Sequence, residues 1–155
     1  MNILKSSIVS KNASIAIIIA RFNDFINNHL LNGAIDTLIR IGQVKKENIF
    51  ISYVPGTYEI PIIAKILCKK KKYDSIIALG TIIKGNTPHY KSIANPIFSN
   101  LSYLSIKNEI PILIGILITK TIEQAIERAG TKLGNKGSEA AISALEMVNL
   151  IKKIK

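Results

Sequence analysis

The chain has 155 residues, and among them are one cysteine, no tryptophan, two histidines and ten acidic residues. Each scarcity removes a class of function. Cys68 alone excludes an internal disulfide and any cysteine-rich zinc site, and its apolar neighbours suit an ordinary buried thiol better than a redox or nucleophilic one. No His-x-x-x-His pair, carboxylate cluster or Ser-His-Asp order is present, so metal and hydrolytic chemistry have no foothold. Long apolar runs are missing too. The longest, Ile110–Ile118, is interrupted by Pro111 and is about half of what a bilayer span needs, while Met1–Ser10 has no signal-peptide core. A soluble, unexported, cytoplasmic protein without a membrane partner is expected.

Negative charge is scarce, and the formal net charge is +11. That surplus alone motivates a nucleic-acid-binding module, since basic surfaces attract phosphate backbones. Its distribution favours a lysine-rich solvated surface instead. Lysines cluster only at Lys69–Lys72 and at Lys152, Lys153 and Lys155, both near expected helix ends where they complement the helix dipole. No aromatic residues interleave with them as stacking platforms, and no nucleic-acid partner is expected. The heavy use of Ile, Lys and Asn throughout reads as nucleotide bias.

Strand and helix patterns alternate without a linker or repeat, which predicts one α/β domain over 1–155. Continuous apolar runs mark strands at Ser14–Ala20, Asn48–Val54, Ser75–Leu79 and Pro111–Ile118. They are too uniformly apolar for a sheet wet on one face, so helices should cover both. Ile26, Leu30, Ala34 and Leu38 stripe a helix over Asp24–Ile41 that Gly42 stops. Further helices are predicted over Tyr58–Lys72, over His89–Lys107 with Pro96 interrupting or offsetting it, and over Gly137–Ile154. Thr121 and Gln124 form a capping box opening a short helix that ends by Gly130. The sum is a doubly wound sheet of four core strands between helical layers. Ile3–Ile8 is a further possible strand, at an edge or on a neighbouring chain.

In such a sheet ligands bind outside the carboxyl ends of the strands, and here all four ends are chemically rich. Phe22 offers a flat apolar face and Asn23 a paired donor and acceptor, suited to a heterocycle; equally, Asn23 or Asp24 is a helix N-cap. Gly56 and Thr57 offer backbone amides and Glu59 a carboxylate, unless Glu59 only stabilises its own helix. Gly80 to Thr87 has P-loop glycine spacing, but Asn86 stands where the phosphate-binding lysine is required, so it fails as a nucleotide loop. Gly85, Asn86 and Thr87 still lead toward a helix start, where free N–H groups favour a small phosphate ester, or else they are a plain turn. His89 lies beside them, able to give and take protons near neutrality. His29 reads as structural or surface. Arg128, Lys132 and Lys136 either neutralise a phosphate or are surface charges, and Glu139 stands beside Lys136.

Several ordered stretches together resemble the lumazine synthase family. They are Ala20-Arg-Phe-Asn23, Val54-Pro-Gly-Thr-Tyr-Glu-Ile-Pro61, Ala78-Leu-Gly80 through Gly85, and Thr87-Pro-His-Tyr90. Ile122 through Lys132 and Gly134-Asn-Lys-Gly137 complete the set, so the likeness covers nearly the whole chain. It implies a flavodoxin-like three-layer α/β/α sandwich with a mainly parallel four-stranded sheet. The implied activity is condensation of 5-amino-6-(D-ribitylamino)uracil with 3,4-dihydroxy-2-butanone 4-phosphate, without a cofactor. On this pattern Phe22 stacks on the pyrimidine, with Asn23 beside it. Thr57, Tyr58, Glu59, Thr81, Ile82 and Ile83 bind the uracil and ribityl portions, with Ile114 in the ribityl pocket. Asn86, Thr87, Arg128 and Lys136 meet the phosphate, and His89 transfers protons. The resemblance also implies a homopentamer whose sites lie between adjacent subunits. The compact Gly130–Gly137 loop is similar to those of members that build a sixty-subunit icosahedral shell, able to enclose riboflavin synthase.

The chain departs from that pattern in places. Lys91 and Ser92 follow His89-Tyr90 where an acidic and an aromatic residue are usual, and Ile114 replaces a phenylalanine of the ribityl pocket. Tyr58 and Tyr90 stand mildly for phenylalanine. Retained, if slower, activity is the expectation; loss of turnover with the pocket kept would make a non-catalytic shell or flavin-binding protein.

Overall fold

A computed structural model describes residues 1–86 and 88–155. Its centre is a sheet in the order β2-β1-β3-β4, with every neighbouring pair parallel. The strands are β1 (Ile15–Ala20), β2 (Ile49–Val54), β3 (Ser75–Ile83) and β4 (Ile112–Thr119). All six residues of β1 are buried, as an uninterrupted apolar run in mid-sheet requires. Alternate residues feed two separate cores. Ile15, Ile17 and Ile19 pack with Ile77, Leu79 and Leu117 under helices α1 (Asp24–Asp36) and α5 (Lys136–Ile154). Ala16, Ile18 and Ala20 pack with Ile76, Ala78 and Ile116 under α2 (Ile60–Lys69) and α3 (Tyr90–Asn108). The three-layer, doubly wound, flavodoxin-like plan is thus present, with both faces covered.

Elements depart from the sequence expectation where local chemistry intervenes. The helix after β1 is α-helical to Asp36 and closes with a π turn over Thr37–Ile41, after which Gly42 ends it. A single 3₁₀ turn, Thr57–Glu59, precedes α2. α3 runs through Pro96 without interruption. Proline removes one hydrogen bond there, to the carbonyl of Ser92, which is on the exposed side and open to water. The Thr121 capping box is formed: Gln124 N–H donates to Thr121 Oγ1 at 3.2 Å and Gln124 Oε1 accepts from Thr121 N–H at 3.3 Å, opening α4 (Ile122–Glu127). After α4 comes an antiparallel hairpin, β5 (Ala129–Thr131) and β6 (Gly134–Asn135), where a loop was expected.

Ile3–Ile8 forms no strand within this chain. It lies along α5, whose side chains satisfy its backbone: Asn149 Nδ2 donates to the carbonyls of Ser7 and Val9 at 2.7 and 2.9 Å. Ser6 Oγ in turn donates to the carbonyl of Glu146 at 2.9 Å. Among the described residues no helix is long and apolar enough to cross a membrane.

Candidate functional site

The strand order changes direction at β1: its own connection leads to β2 on one side, while β3 lies on the other. The crevice for a ligand is therefore outside the ends of β1 and β3. Here β3 outruns β1. Their pairing stops at Ile19 with Leu79, while β4 accompanies β3 to Ile83. From Gly80 onward β3 thus presents a backbone edge toward β1 that no strand occupies. Gly80 was expected to begin a turn; it is instead a strand residue, and a Cβ there would collide with Thr57 Cγ2, so only glycine lets the β2 tip close over β3.

Opposite this edge, Phe22 N–H donates to the carbonyl of Pro55 at 3.1 Å, extending the β1–β2 register one step past the sheet. The Phe22 ring is left 75% exposed, an unusual fate for a phenylalanine at a sheet end. Asn23 occupies the N-cap position of α1 with left-handed backbone (φ 66°, ψ 41°), but its side chain caps nothing. Its Nδ2 crosses the crevice and donates to the carbonyl of Thr81 at 3.0 Å. A cavity of about 450 Å³ opens beside Phe22 and Asn23, walled by Ile122 and Ile126 of α4. Cavities of about 460 Å³ at the opposite end of the sheet and about 440 Å³ between α2 and α3 are as large, so chemistry rather than volume singles this one out.

Of the other residues expected here, Thr57 is buried and Tyr58 exposed, while the Glu59 carboxylate turns back to accept Gly56 N–H at 2.9 Å. Of the three groups that the β2 tip offered, the Gly56 amide and the Glu59 carboxylate are thus engaged with each other. Thr81 and Ile82 are buried in β3 and Ile83 is half-buried. Beyond them Lys84 N–H donates to Thr119 O at 2.8 Å and Gly85 N–H to Lys120 O at 3.2 Å, so the Gly85 amide is not available to an anion. Asn86 is exposed, Thr87 lies outside the described residues, and the helix begins only at Tyr90. His89 is exposed immediately before α3, with Lys84 Nζ 5.4 Å from the centre of the Tyr90 ring and Lys91 exposed beyond it.

Three further expected residues stand on other elements. Arg128 is the residue at the carboxyl end of α4, whereas Lys120, whose carbonyl accepts Gly85 N–H, precedes its amino end. Lys136 opens α5 and pairs with Glu139 at 3.6 Å. Asn135 ties the start of α5 to α1: its Nδ2 donates to His29 O at 2.9 Å while its Oδ1 caps Ser138 N–H at 3.1 Å. Ile114 sits mid-strand in β4, paired with Ala78, on the outer edge of the sheet. His29 is exposed against Phe25, ring to ring at 5.2 Å, in keeping with a surface role. No group of three or more His, Cys, Asp or Glu side chains that could hold a metal is found among the described residues.

Asn27 was not among the residues singled out, although a signal existed. It lies on the stripe Asn27, Leu30, Leu31, Ala34, where a polar side chain interrupts an apolar face. It is 0% exposed and fully partnered. Its Nδ2 donates to Ala20 O at 2.7 Å and Phe22 O at 2.8 Å, and its Oδ1 accepts from Thr81 Oγ1 at 2.7 Å. Left unpaired, such groups would cost about 1–3 kcal/mol each, so the network is an integral part of the strand ends.

A family model described as 6,7-dimethyl-8-ribityllumazine synthase matches residues 12–152. Proteins of that name in Buchnera aphidicola from Schizaphis graminum and in Yersinia pestis are similar to the chain. The first is 65% identical over 155 residues, covering 100% of this chain and 98% of the relative. The second is 54% identical over 155 residues, covering 100% and 99%. Another from Buchnera aphidicola of Baizongia pistaciae is 62% identical over 152 residues, covering 97% and 96%. With a doubly wound sheet, a bare phenylalanine at its switch point and likeness along the whole length, the chain belongs to the 6,7-dimethyl-8-ribityllumazine synthase family of enzymes.

Proposed function

We propose that this protein condenses 5-amino-6-(D-ribitylamino)uracil with 3,4-dihydroxy-2-butanone 4-phosphate, forming 6,7-dimethyl-8-ribityllumazine in riboflavin biosynthesis and releasing phosphate and water. The observation that carries the reading is the end of β3 beyond Leu79, which no strand pairs on the β1 side, together with the exposed Phe22 at the end of β1. A planar pyrimidine stacked on Phe22 would present its ring amides to that edge, and the family name of the relatives gives the chemistry its product. Thr57, Tyr58, Glu59, Thr81, Ile82 and Ile83 would line the pyrimidine and ribityl side, and Asn86, Thr87, Arg128 and Lys136 the phosphate.

The 5-amino group attacks the ketone and one water leaves to give an imine; loss of a carbon-bound proton expels phosphate, and the enol so formed tautomerises to a second carbonyl, on which the ribitylamino nitrogen closes with loss of a second water. Each step moves protons, and none needs a protein nucleophile. His89 serves as the shuttle, while holding two reactants together supplies much of the acceleration. As the family resemblance implies, the phosphate site is completed by the Arg128 and Lys136 of a neighbouring subunit, in a cytoplasmic pentamer and in a sixty-subunit shell of twelve such rings, with riboflavin synthase as its cargo.

Mixing the purified protein with both substrates and following lumazine formation optically tests this. Turnover above the uncatalysed reaction is expected, with His89→Ala lowering kcat by about a hundredfold. Arg128→Ala should raise KM for the phosphate substrate about tenfold and leave that for the pyrimidine near its starting value. No rate above background would sink the enzyme reading, and equal rates in His89→Ala would sink the shuttle alone. Tight binding of the lumazine without turnover would favour a non-catalytic shell, the outcome that Lys91 and Ile114 motivate.

A further inference from the structure

We propose that Asn27 is the positioning residue of the pyrimidine half of the site, an inference that rests on the function proposed above. Phe22 sits in a short connection between β1 and α1, and the bonds that hold it are few. Its N–H goes to Pro55 O and its carbonyl to Asn27 Nδ2. The same amide nitrogen takes Ala20 O with its second hydrogen, so one planar group fixes two carbonyls that bracket Arg21. Neither water nor an apolar side chain of similar size would hold both with that rigidity. Because Asn27 stands on the first full turn of α1, it transmits the placement of the helix to the ring that the ligand meets.

The other end of the amide anchors to β3. Thr81 Oγ1 donates its only hydrogen to Asn27 Oδ1 at 2.7 Å, and Thr81 is only 3% exposed, so this hydroxyl serves the network and not a ligand. Thr81 O is held by Asn23 Nδ2. Asn27 thus ties the end of β3 to the Phe22 turn without reaching the ligand itself.

The role predicts a split that a merely structural residue would not show. Asn27→Ala should raise KM for the pyrimidine about tenfold, leave KM for the phosphate substrate within about twofold, and leave the pH profile of kcat in place. In hydrogen exchange, the segment 20–27 should lose protection while β3 and α5 keep theirs. Thr81→Val should reproduce part of the kinetic effect, Thr81→Ser should recover most of what valine loses, and the Asn27→Ala/Thr81→Val double variant should be little worse than Asn27→Ala alone. If the wild type shows no turnover, the functional reading fails, and local exchange of 20–27 still decides the role of Asn27. If Asn27→Ala does not fold, the Thr81→Val and Thr81→Ser pair decides by the same two readouts. The proposal is overturned by equal rises in both KM values, by loss of protection throughout the chain, or by unchanged exchange over 20–27.

Discussion

Asn23 and Asn27 show how much a single amide can decide at the end of a strand. Both are asparagines within one helical turn, yet one adopts left-handed backbone to reach Thr81 while the other is buried beneath it. The sequence alone left Asn23 balanced between a ligand role and a helix cap, because either use suits a short amide before a helix. Within the chain its side chain caps nothing and reaches a backbone carbonyl at residue 81 instead, which no local pattern reveals. Cys68 was legible, by contrast, since its apolar neighbours already implied burial. It is 2% exposed, and burial pushes its thiol above the ordinary range, so little thiolate exists at neutral pH. Alkylation of the native protein at pH 7.5 should run at least about tenfold slower than that of an unfolded control. A rate equal to that of the control would show that α2 opens readily.

At the level of elements, the four core strands and five helices follow from apolar runs and periodicity, and their ends do not. β3 was read to Leu79 because glycine follows; packing of Gly80 under Thr57 carries it to Ile83, and that extension creates the free edge on which the site depends. Pro96 was read as interrupting or offsetting its helix, but an exposed position in a long helix absorbs it. The hairpin after α4 was unreadable because its strands are only three and two residues long. Its placement depends on a close approach of α1 and α5: a Cβ on Gly137 would strike the carbonyl of Leu30. Gly137→Ala should therefore cost about 1–3 kcal/mol by overpacking, about 3–10 °C in Tm, and should move Lys136 with the helix. Thermal unfolding checks the first part, and a raised KM for the phosphate substrate checks the second. An unchanged Tm would mean that the two helices separate freely.

For the molecule as a whole, the sequence disclosed a one-domain α/β layout and a crevice, while the partition of the site between chains came only from the family resemblance. The geometry makes that partition testable. His89 and Arg128 of one chain would serve different sites, so at phosphate substrate well below KM, where His89→Ala is about a hundredfold and Arg128→Ala about tenfold slow, subunits co-assembled in equal amounts should show about a quarter of wild-type activity. Absence of any recovery would place both residues in one chain's site.

The same topology has a consequence for how the protein is made. β1 lies between β2 and β3, with every residue buried, yet its sequence Ile-Ala-Ile-Ile-Ile-Ala leaves the ribosome well before Ser75–Leu79. At elongation rates of about 5–20 residues per second one edge of this uncharged strand waits about 3–12 s for its partner. Nothing in the strand blunts that edge, since it has neither proline nor lysine. The interval of translation between α1 and β3 is therefore when the nascent chain most needs a chaperone, and slower decoding there would be felt as lost yield long before it was felt as lost activity.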